Sequence, residues 1–544
     1  MSKQKYQADV LIAGGGLAGI TTALELLDSG KKVILFDRDE ADKFGGLANW
    51  SFGGMFFVNS PVQQKAGIKD NVDLATKDWF SFAEFGEEEY WTKAWARQYV
   101  ELSDGWSFEW LRNRGIKYFP VVHWVERGLL QPGNSVPRFH LVWGTGYGLT
   151  QQLIFHLENH QHKGNLKLMF RHRVTNLTVQ NGRVVGLSGK DELSNEDFEA
   201  TGDAVVVASG GVNGSIQRVK QNWPQHWGNP PEEILNGSHK YAIGDMHDAV
   251  SAQKGNITHL DRMWNYAAGV QHPKPLFPNH GLSLVPCKSA LWLNHKGERM
   301  GPMPLITGYD TRFLVKRICE EPVKYSWQVM NRKIAYKEFA ISGSEHNPAV
   351  RDKKLFAFLK NILLGNKALV EEMLNTCPDF IVANSLEELT DKIHQASPEH
   401  QEFSGTLLRE SVHTYDQMID RGQKYHNDEQ LRRIAHARQY RGDKVRTCKF
   451  QKIVDAKAMP LIAIKLRILS RKSLGGIQTD LQSRVLDNHP DPQKQQPIPG
   501  LYAVGEAAGF GGGGVHGKRA LEGTFLSGCI INARLAAADI VKTK

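Results

Sequence analysis

Three glycines near the start of the sequence have the spacing of a phosphate-binding turn. Gly14, Gly16 and Gly19 form the pattern GxGxxG within the run GGGLAG. Binding a dinucleotide at such a turn requires glycine for the tight bend, for close approach of the backbone to pyrophosphate, and for close packing of helix on strand. Asp37 follows about 20 residues later, where an acidic side chain can bind the ribose hydroxyls of an adenosine. These residues predict a dinucleotide site.

The secondary structure expected around these glycines is the one that such a site needs. Asp9 to Ala13 is a short apolar run that predicts a buried parallel strand, and Val33 to Phe36 predicts a second one. Between them, Ile20 to Ser29 has apolar residues at helical spacing. A helix that begins at the glycine turn directs its free N–H groups and its positive dipole end at a bound phosphate. We therefore expect a strand, turn, helix and strand unit.

Further segments, most of them rich in glycine, occur in an order that is typical of one group of flavoproteins. They are Gly45-Gly46 with Asn49, Ser51, Gly53 and Gly54; Ala208-Ser209-Gly210-Gly211; Ile243-Gly244-Asp245; Leu474-Gly475-Gly476-Ile477; and Pro499 to Glu506 with the sequence PGLYAVGE. With these segments the chain resembles the fumarate reductase/succinate dehydrogenase flavoprotein superfamily, and within it the 3-ketosteroid dehydrogenase-like FAD-binding dehydrogenases. The resemblance extends over nearly the whole chain and implies an FAD-dependent enzyme.

The resemblance also implies which residues bind the cofactor. Asn49 and Ser51 are expected on the flavin side, Val174 beside the adenine, and Glu506 on the ribityl hydroxyls. Some family members attach FAD through a histidine near the first loop. No histidine occurs between Asp37 and Gly54, so non-covalent FAD is expected. The full set of expected FAD-binding residues is Gly14, Gly16, Ala18, Gly19, Asp37, Gly45, Gly46, Asn49, Ser51, Gly53, Gly54, Val174, Ala208, Ser209, Gly210, Asp245, Gly505, Glu506 and Leu526.

Candidate catalytic residues come from two segments. The glycine-rich loop from Gly511 to Gly523 contains His516 and Arg519, which could serve as a substrate-side acid/base and as a clamp for an anion or enolate. The same two residues could instead contact pyrophosphate or only position the backbone. Tyr118 is the third candidate, because this part of the related proteins reaches the substrate cavity. No metal site is expected.

The loop departs from both patterns that its relatives carry. Dicarboxylate-specific members resemble HGxNRLGGNSL here, with an arginine that grips the substrate. Aligned on His516, that arginine position is Ala520, and Arg519 lies one place earlier. The true ketosteroid Δ1-dehydrogenases resemble a YPGPG stretch with a catalytic tyrosine, whereas this chain has KRALEG from Lys518 to Gly523. The loop therefore matches in full neither the pattern of a standard fumarate enzyme nor that of a standard Δ1-dehydrogenase.

The 544-residue chain is too long for one ordinary hydrophobic core, so at least two domains are expected. The segment from Trp79 to Trp143 is rich in aromatic residues and mostly helical in pattern. From about residue 271 to 442 the sequence has few strand-like runs and many charged, helix-favouring stretches. We predict an α/β fold in which a Rossmann-like FAD-binding domain (residues 1–270 and 446–544) is interrupted by a largely helical capping or substrate domain (residues 271–445).

Composition narrows the class of protein. The net charge is +9, but the basic residues are scattered, so a solvated surface is favoured over binding of nucleic acid. A positive field also suits a dinucleotide and an anionic substrate.

Five cysteines without CxxC spacing indicate reduced thiols. The polar first residues lack the apolar core of a signal peptide, and no apolar run is long enough to span a bilayer, which predicts a soluble, cytoplasmic protein.

The predicted function is FAD-dependent oxidation of a CH–CH group. The favoured reaction removes hydrogen next to a carbonyl in a ketosteroid-like or other hydrophobic substrate and passes electrons to an unidentified acceptor. Reduction of a small unsaturated carboxylic acid, as in a fumarate reductase, is the enzymatic alternative. An FAD-binding protein without turnover, or with an RNA-linked role, is the alternative from another class.

Overall fold

A six-stranded sheet forms the base on which the glycine turns lie. In the computed structural model, which describes residues 4–543, every neighbouring pair in this sheet is parallel except the pair at its outer edge, which is antiparallel. The strands, in order across the sheet, are β21 (Arg484–Leu486), β22 (Pro497–Ala503), β10 (Ala204–Val207), β2 (Val10–Ala13), β3 (Val33–Phe36) and β6 (Leu166–Met169). Strands β2, β3 and β10 are buried along their whole length, as apolar runs such as VLIA and AVVV require.

The two faces of this sheet are covered differently. Helices α1 (Leu17–Asp28) and α19 (Thr524–Lys542) pack on each other against one face. The other face is covered by a four-stranded sheet of β1 (Gln4–Gln7), β9 (Glu196–Thr201), β8 (Arg183–Asp191) and β7 (His172–Gln180). Helix α19 is the one helix among residues 4–543 whose length and composition could cross a membrane. Because 67% of that stretch is buried inside the protein, it has the environment of a core helix.

A second large sheet dominates the middle of the chain. Six strands follow one another across it and two more pair with its longest strand: β15 (Leu291–Leu293), β16 (Tyr325–Asn331), β19 (Leu461–Ser473), β13 (Met263–Gln271), β14 (Gly281–Val285) and β17 (Ala340–Ser342), with β11 (Leu235–Asn236) and β18 (Phe380–Ala383) on β19. Two short ribbons complete the strands: β12 (Ile257–Thr258) with β20 (Gly476–Ile477), and β4 (Gly54–Phe56) with β5 (Phe139–Leu141).

Between residues 271 and 445, where the sequence predicts a largely helical domain, nine α-helices accompany part of this sheet. The segment contributes five of the eight strands, and the sheet continues beyond both predicted bounds through β13 and β19. Strand β19, beyond the predicted C-terminal bound, buries Lys465 and Arg467. Their charges are balanced by acidic residues on distant segments: Lys465 pairs with Glu399, and Arg467 with Asp379 at 2.5 Å. These ion pairs join β19 to residues of the segment between 271 and 445.

Helices are numerous in the same region, but they surround the sheet rather than replace it. The remaining helices are α2 (Gly46–Trp50), α3 (Pro61–Lys65), α4 (Val72–Ala83), α5 (Tyr90–Leu102), α6 (Trp110–Asn113), α7 (Thr145–Glu158), α8 (Ile216–Gln221), α9 (Asp245–Ala252), α10 (Thr311–Cys319), α11 (Arg332–Glu338), α12 (Pro348–Arg351), α13 (Leu355–Leu364), α14 (Lys367–Thr376), α15 (Leu386–Ala396), α16 (Gly405–Asp420), α17 (Glu429–Ala437) and α18 (Arg441–Lys444).

The aromatic segment that begins at Trp79 is helical only in its first half. A π-helical stretch, Ser103–Glu109, joins α5 to α6, and from residue 114 to 138 the described chain has no helix or named strand. This irregular part is held by Arg138, whose side chain is fully buried. Its guanidinium donates to Asp70 at 2.8 Å and to Asp78 at 2.6 Å. The buried ion pairs tie the irregular segment to the residues around α4.

Candidate functional site

A single long cavity follows the carboxyl ends of the parallel strands. Fourteen of the nineteen residues predicted to bind FAD lie in its wall: Gly14, Gly16, Ala18, Asp37, Gly46, Ser51, Val174, Ala208, Ser209, Gly210, Asp245, Gly505, Glu506 and Leu526. The strand order explains this convergence, because residues that follow neighbouring parallel strands lie along one edge of the sheet. Asp37 follows β3 and Gly505 follows β22, three strands away, so they are separated by about 14 Å across the sheet.

The amino end of α1 provides an anion site in this cavity. Its first turn contains no acidic residue, and no side chain accepts from its free N–H groups. Gly16 precedes the helix, and a side chain there would project into open space. Gly14 has a φ of +116°, and a Cβ on it would lie 2.3 Å from the Ala208 carbonyl oxygen. The turn therefore leaves room for a phosphate group at unsatisfied backbone donors.

Charged side chains at the β3 end of the cavity are already hydrogen bonded. The Asp37 carboxylate accepts from the Gly15 N–H at 2.6 Å and from the Asp39 N–H at 2.7 Å, while its burial raises its pKa. Asp245 begins α9 and is bound by the Arg173 guanidinium at 2.7 and 2.9 Å. Asp37 is thus placed beside the turn that the sequence predicted, and Asp245 forms an ion pair in the wall.

Five predicted residues lie behind the wall. Gly19 packs on Gly14, and Gly45 forms a backbone bridge with Gly16. Asn49 donates to the Phe44 carbonyl at 2.6 Å and is buried. Gly53 and Gly54 are in close contact with Thr145 and with the ring of Phe139. These residues shape the loop that presents Gly46 and Ser51 to the cavity.

Two residues at the β22 end of the cavity have pKa values shifted towards neutrality. Glu506 accepts from the Ser473 N–H at 3.0 Å, and burial raises its pKa to about 7. Lys472, the residue before Ser473, lies with its ammonium 4.0 Å from the centre of the Phe525 ring. Burial, with a contribution from the charge of Arg471, lowers the pKa of Lys472 to about 8. A proton can therefore be gained or lost here near neutral pH.

Another acidic residue, Glu522, lies near Lys472 but outside the cavity wall, and it is held by two donors from β13. Its Oε2 accepts from the Trp264 Nε1–H at 3.0 Å and from the Tyr266 hydroxyl at 3.0 Å. Burial and the neighbouring Glu522 raise the pKa of Tyr266 well above its usual value, so the phenol remains a donor. Within residues 4–543, Oε1 of Glu522 accepts no hydrogen bond. The carboxylate is therefore held in one orientation through Oε2.

His516 is not part of the cavity wall. It is completely buried, its ring stacks on Trp79, and its Nε2 lies 2.8 Å from the Thr524 hydroxyl. That hydroxyl donates to the Leu521 carbonyl, so Nε2 must be the donor to it. Burial lowers the pKa of His516 to about 3, which keeps the ring neutral. Its catalytic role stays a prediction.

Arg519 and Tyr118 are also outside the wall. The Arg519 guanidinium forms ion pairs with Glu84 and, at 3.1 Å, with Asp310. Tyr118 packs between Phe57 and Phe108, and its hydroxyl contacts the Met55 sulfur at 3.7 Å. The structure therefore does not bring His516, Arg519 and Tyr118 together, and the roles predicted for the last two remain untested. Arg519 links the glycine loop to the residue before α10.

Sequence reasoning missed Lys472 and Tyr266 and named Glu522 only as part of a departure from its relatives' loop. One local signal existed, because Lys472 is a basic residue three places before the glycine pair Gly475-Gly476. No local pattern marks Tyr266, whose partner Glu522 lies 256 positions further along the chain.

Comparison with protein-family models and with known proteins gives matches over most of the chain. The model of the FAD binding domain family matches residues 9–526. A KsdD-like steroid dehydrogenase of Mycobacterium tuberculosis is 40% identical over 548 residues, which cover 97% of this chain and 95% of that protein.

Two solved structures are similar in fold at low identity. The 3-ketosteroid Δ1-dehydrogenase of Sterolibacterium denitrificans, in complex with 1,4-androstadiene-3,17-dione, matches with a TM-score of 0.68 at 17% identity, over 99% of this chain and 100% of that one. The open conformation of a flavocytochrome c3 fumarate reductase matches with a TM-score of 0.68 at 18% identity, over 99% and 78%. These matches show a flavoprotein fold of mixed sheets and helices.

Proposed function

Since the chain belongs to the FAD binding domain family and is an FAD-dependent oxidoreductase of its ketosteroid dehydrogenase-like branch, we propose that it dehydrogenates a CH–CH bond next to a carbonyl. The proposed substrate is a ketosteroid-like or other hydrophobic ketone. The identity of 40% with a KsdD-like steroid dehydrogenase over nearly the whole chain supports this class of substrate.

The cavity fits the cofactor that the family implies. Free N–H groups at the start of α1 suit the pyrophosphate, and Asp37 suits the adenosine ribose. Glu506, at the β22 end, suits the ribityl hydroxyls. Bound FAD supplies a hydride acceptor. We propose non-covalent binding, because no histidine occurs between Asp37 and Gly54.

One observation carries the proposed chemistry: the oriented Glu522 carboxylate lies near Lys472, a cation in the wall at the β22 end of the site. Dehydrogenation removes a hydride from one carbon and a proton from its neighbour as the double bond forms. We assign the proton to the free Oε1 of Glu522, and Trp264 and Tyr266 hold the carboxylate in position. The ammonium of Lys472 stabilises negative charge that develops on the substrate carbonyl oxygen.

We also propose that the eight-stranded sheet and its helices form the substrate-capping domain, with the boundaries extended to include β13 and β19. Both residues that hold Glu522 lie on β13, and Lys472 lies near the end of β19. The site then depends on contact between this domain and the C-terminal loop. A cytoplasmic location is part of the proposal, in keeping with five cysteines that lack CxxC spacing.

The test is anaerobic absorbance of the flavin-loaded protein during titration with candidate donors. Bleaching of the flavin band by 3-ketosteroids, with formation of the α,β-unsaturated product, is expected. Succinate-like acids should leave the band unchanged. Acid precipitation of the protein should release all flavin into the supernatant if attachment is non-covalent.

Two results would contradict the proposal. Reoxidation of the dithionite-reduced protein by fumarate-like acids, but by no enone, would identify a reductase of unsaturated acids. A flavin that neither ketones nor acids reduce, and that neither class reoxidises, would indicate a flavoprotein without this turnover.

A further inference from the structure

Helix α13 is unusual because it is apolar and yet lies on the surface. None of its ten residues is buried. Phe356 is 88% exposed, Leu363 69% and Leu364 64%, and Leu355 and Leu359 are exposed as well. An exposed cluster of large apolar side chains on one short helix marks an interaction surface, whereas single exposed apolar residues are ordinary.

Four of these five exposed side chains form a continuous face. At 3.6 residues per turn, Leu355, Leu359, Leu363 and Phe356 fall within an arc of about 100°. Phe358 lies outside this arc and packs on Phe119 and Trp143, with ring centres 4.8 and 5.8 Å away. The helix is therefore fixed to the body of the protein by one apolar face and presents a second one to its surroundings.

Basic residues surround this face. From residue 351 to 367 the sequence RDKKLFAFLKNILLGNK contains five basic residues and one acidic residue, a net charge of +4. Lys353, Lys354, Lys360 and Lys367 are all exposed. The acidic residue, Asp352, is paired with Arg351 at 2.7 Å. The surface around α13 is thus both apolar and positively charged.

We propose that α13 and its flanking lysines dock the protein on an anionic lipid surface. An interfacial helix inserts apolar side chains at the boundary between headgroups and acyl chains, while basic residues bind anionic headgroups. A second copy of the chain would bind this face less well, because a twofold contact here would bring two patches of charge +4 together. Charge complementarity therefore favours lipid.

The docking surface is close to the cavity. Lys353 lies against Gly144, the residue before α7. In the first turn of α7, the Gly146 N–H donates to the Ser51 carbonyl at 3.0 Å, and Ser51 is part of the cavity wall. A bilayer docked on α13 would hold apolar molecules near the site. This last consequence rests on the proposed function, whereas the docking itself does not.

Co-sedimentation of the flavin-loaded full chain with lipid vesicles tests the proposal. The chain should bind vesicles of phosphatidylcholine mixed with phosphatidylglycerol, and it should bind vesicles of phosphatidylcholine alone much more weakly. Binding should weaken between about 0.1 M and about 1 M salt. The double variant Phe356→Ser/Leu363→Ser should reduce the partition coefficient at least about tenfold, since two large apolar side chains are removed from the contact.

A matched control uses exposed apolar residues elsewhere. Phe155 and Leu276 are 55% and 69% exposed, and the variant Phe155→Ser/Leu276→Ser should bind as the parent does. Flavin content and ketone-dependent bleaching should be unchanged in both variants, so a failure of the proposed function would be seen separately. The proposal is overturned if the parent fails to bind anionic vesicles or if both variants lose binding equally. A dimer that the α13 variant dissociates would also overturn it, because the face would then be a self-association interface.

Discussion

The hydroxyl of Tyr266 donates a hydrogen bond of 3.0 Å to Glu522, which joins strand β13 to the C-terminal glycine loop. The Trp264 indole donates to the same oxygen. Two donors on one strand fix the carboxylate, and its second oxygen is the proposed acceptor of the substrate proton. The following predictions begin with this carboxylate.

Replacing Glu522 with glutamine should slow flavin reduction by ketone about 10²-fold or more, because the amide cannot accept the substrate proton. Stopped-flow absorbance under anaerobic conditions measures the rate. The exposed Glu87→Gln variant is the matched control and should behave as the parent does. A normal rate in Glu522→Gln, with normal FAD content, would remove Glu522 from the mechanism.

The charge of Lys472 should produce an alkaline limb in the pH profile. Burial lowers the pKa of this ammonium from its usual value to about 8, so the positive charge is present below that pH and lost above it. Flavin reduction should therefore slow as the pH rises through about 8. In Lys472→Arg, the guanidinium stays charged and the limb should disappear, while Lys472→Met should be slow at every pH. If the limb persists in Lys472→Arg, another group is responsible.

Gly16→Val should weaken FAD binding without unfolding the protein. The backbone at Gly16 is extended, and an added Cβ meets no protein atom within 4 Å, so the apoprotein should tolerate it. The side chain would occupy the space that pyrophosphate needs, and overlap of this kind should raise the dissociation constant about tenfold or more. Fluorescence titration with FAD measures it.

Gly164→Val is the control, because a Cβ there also meets nothing within 4 Å. Equal loss of FAD binding in both variants, or a large drop in apoprotein melting temperature for Gly16→Val alone, would contradict this account of the turn.

Arg138→Met should destabilise the fold strongly. The change leaves the buried carboxylates of Asp70 and Asp78 without their cation, and breaking a buried pair in this way costs about 3–5 kcal/mol. Urea unfolding followed by tryptophan fluorescence measures the loss. Arg171→Met removes an exposed pair with Glu40 and should change the free energy of unfolding by less than about 1 kcal/mol. Similar effects of the two substitutions would show that the Arg138 ion pairs contribute little.

The cofactor half of the site was predictable because its determinants are local. Gly14, Gly16 and Asp37 lie within one strand, helix and strand unit, and fourteen of the predicted residues line one cavity. The other half depends on contacts between distant segments. Strand β19 buries Lys465 and Arg467, and their partners Glu399 and Asp379 come from elsewhere in the chain. The same applies to Glu522, whose orientation depends on two residues of β13.

The parallel sheet has a consequence for how the protein acquires its cofactor in the cell. Strand β10 pairs with β2, near the beginning of the sequence, and with β22, near its end. The part of the cavity wall that contains Gly14 and the part that contains Gly505 therefore come from opposite ends of the sequence. At ~5–20 residues per second, a ribosome needs on the order of a minute to travel from one to the other. During that time the nascent chain has the glycine turn but not the part of the cavity wall that contains Gly505 and Glu506. Tight capture of FAD must therefore wait until β22 has been synthesised and has joined the sheet, which makes loading a late event in biogenesis.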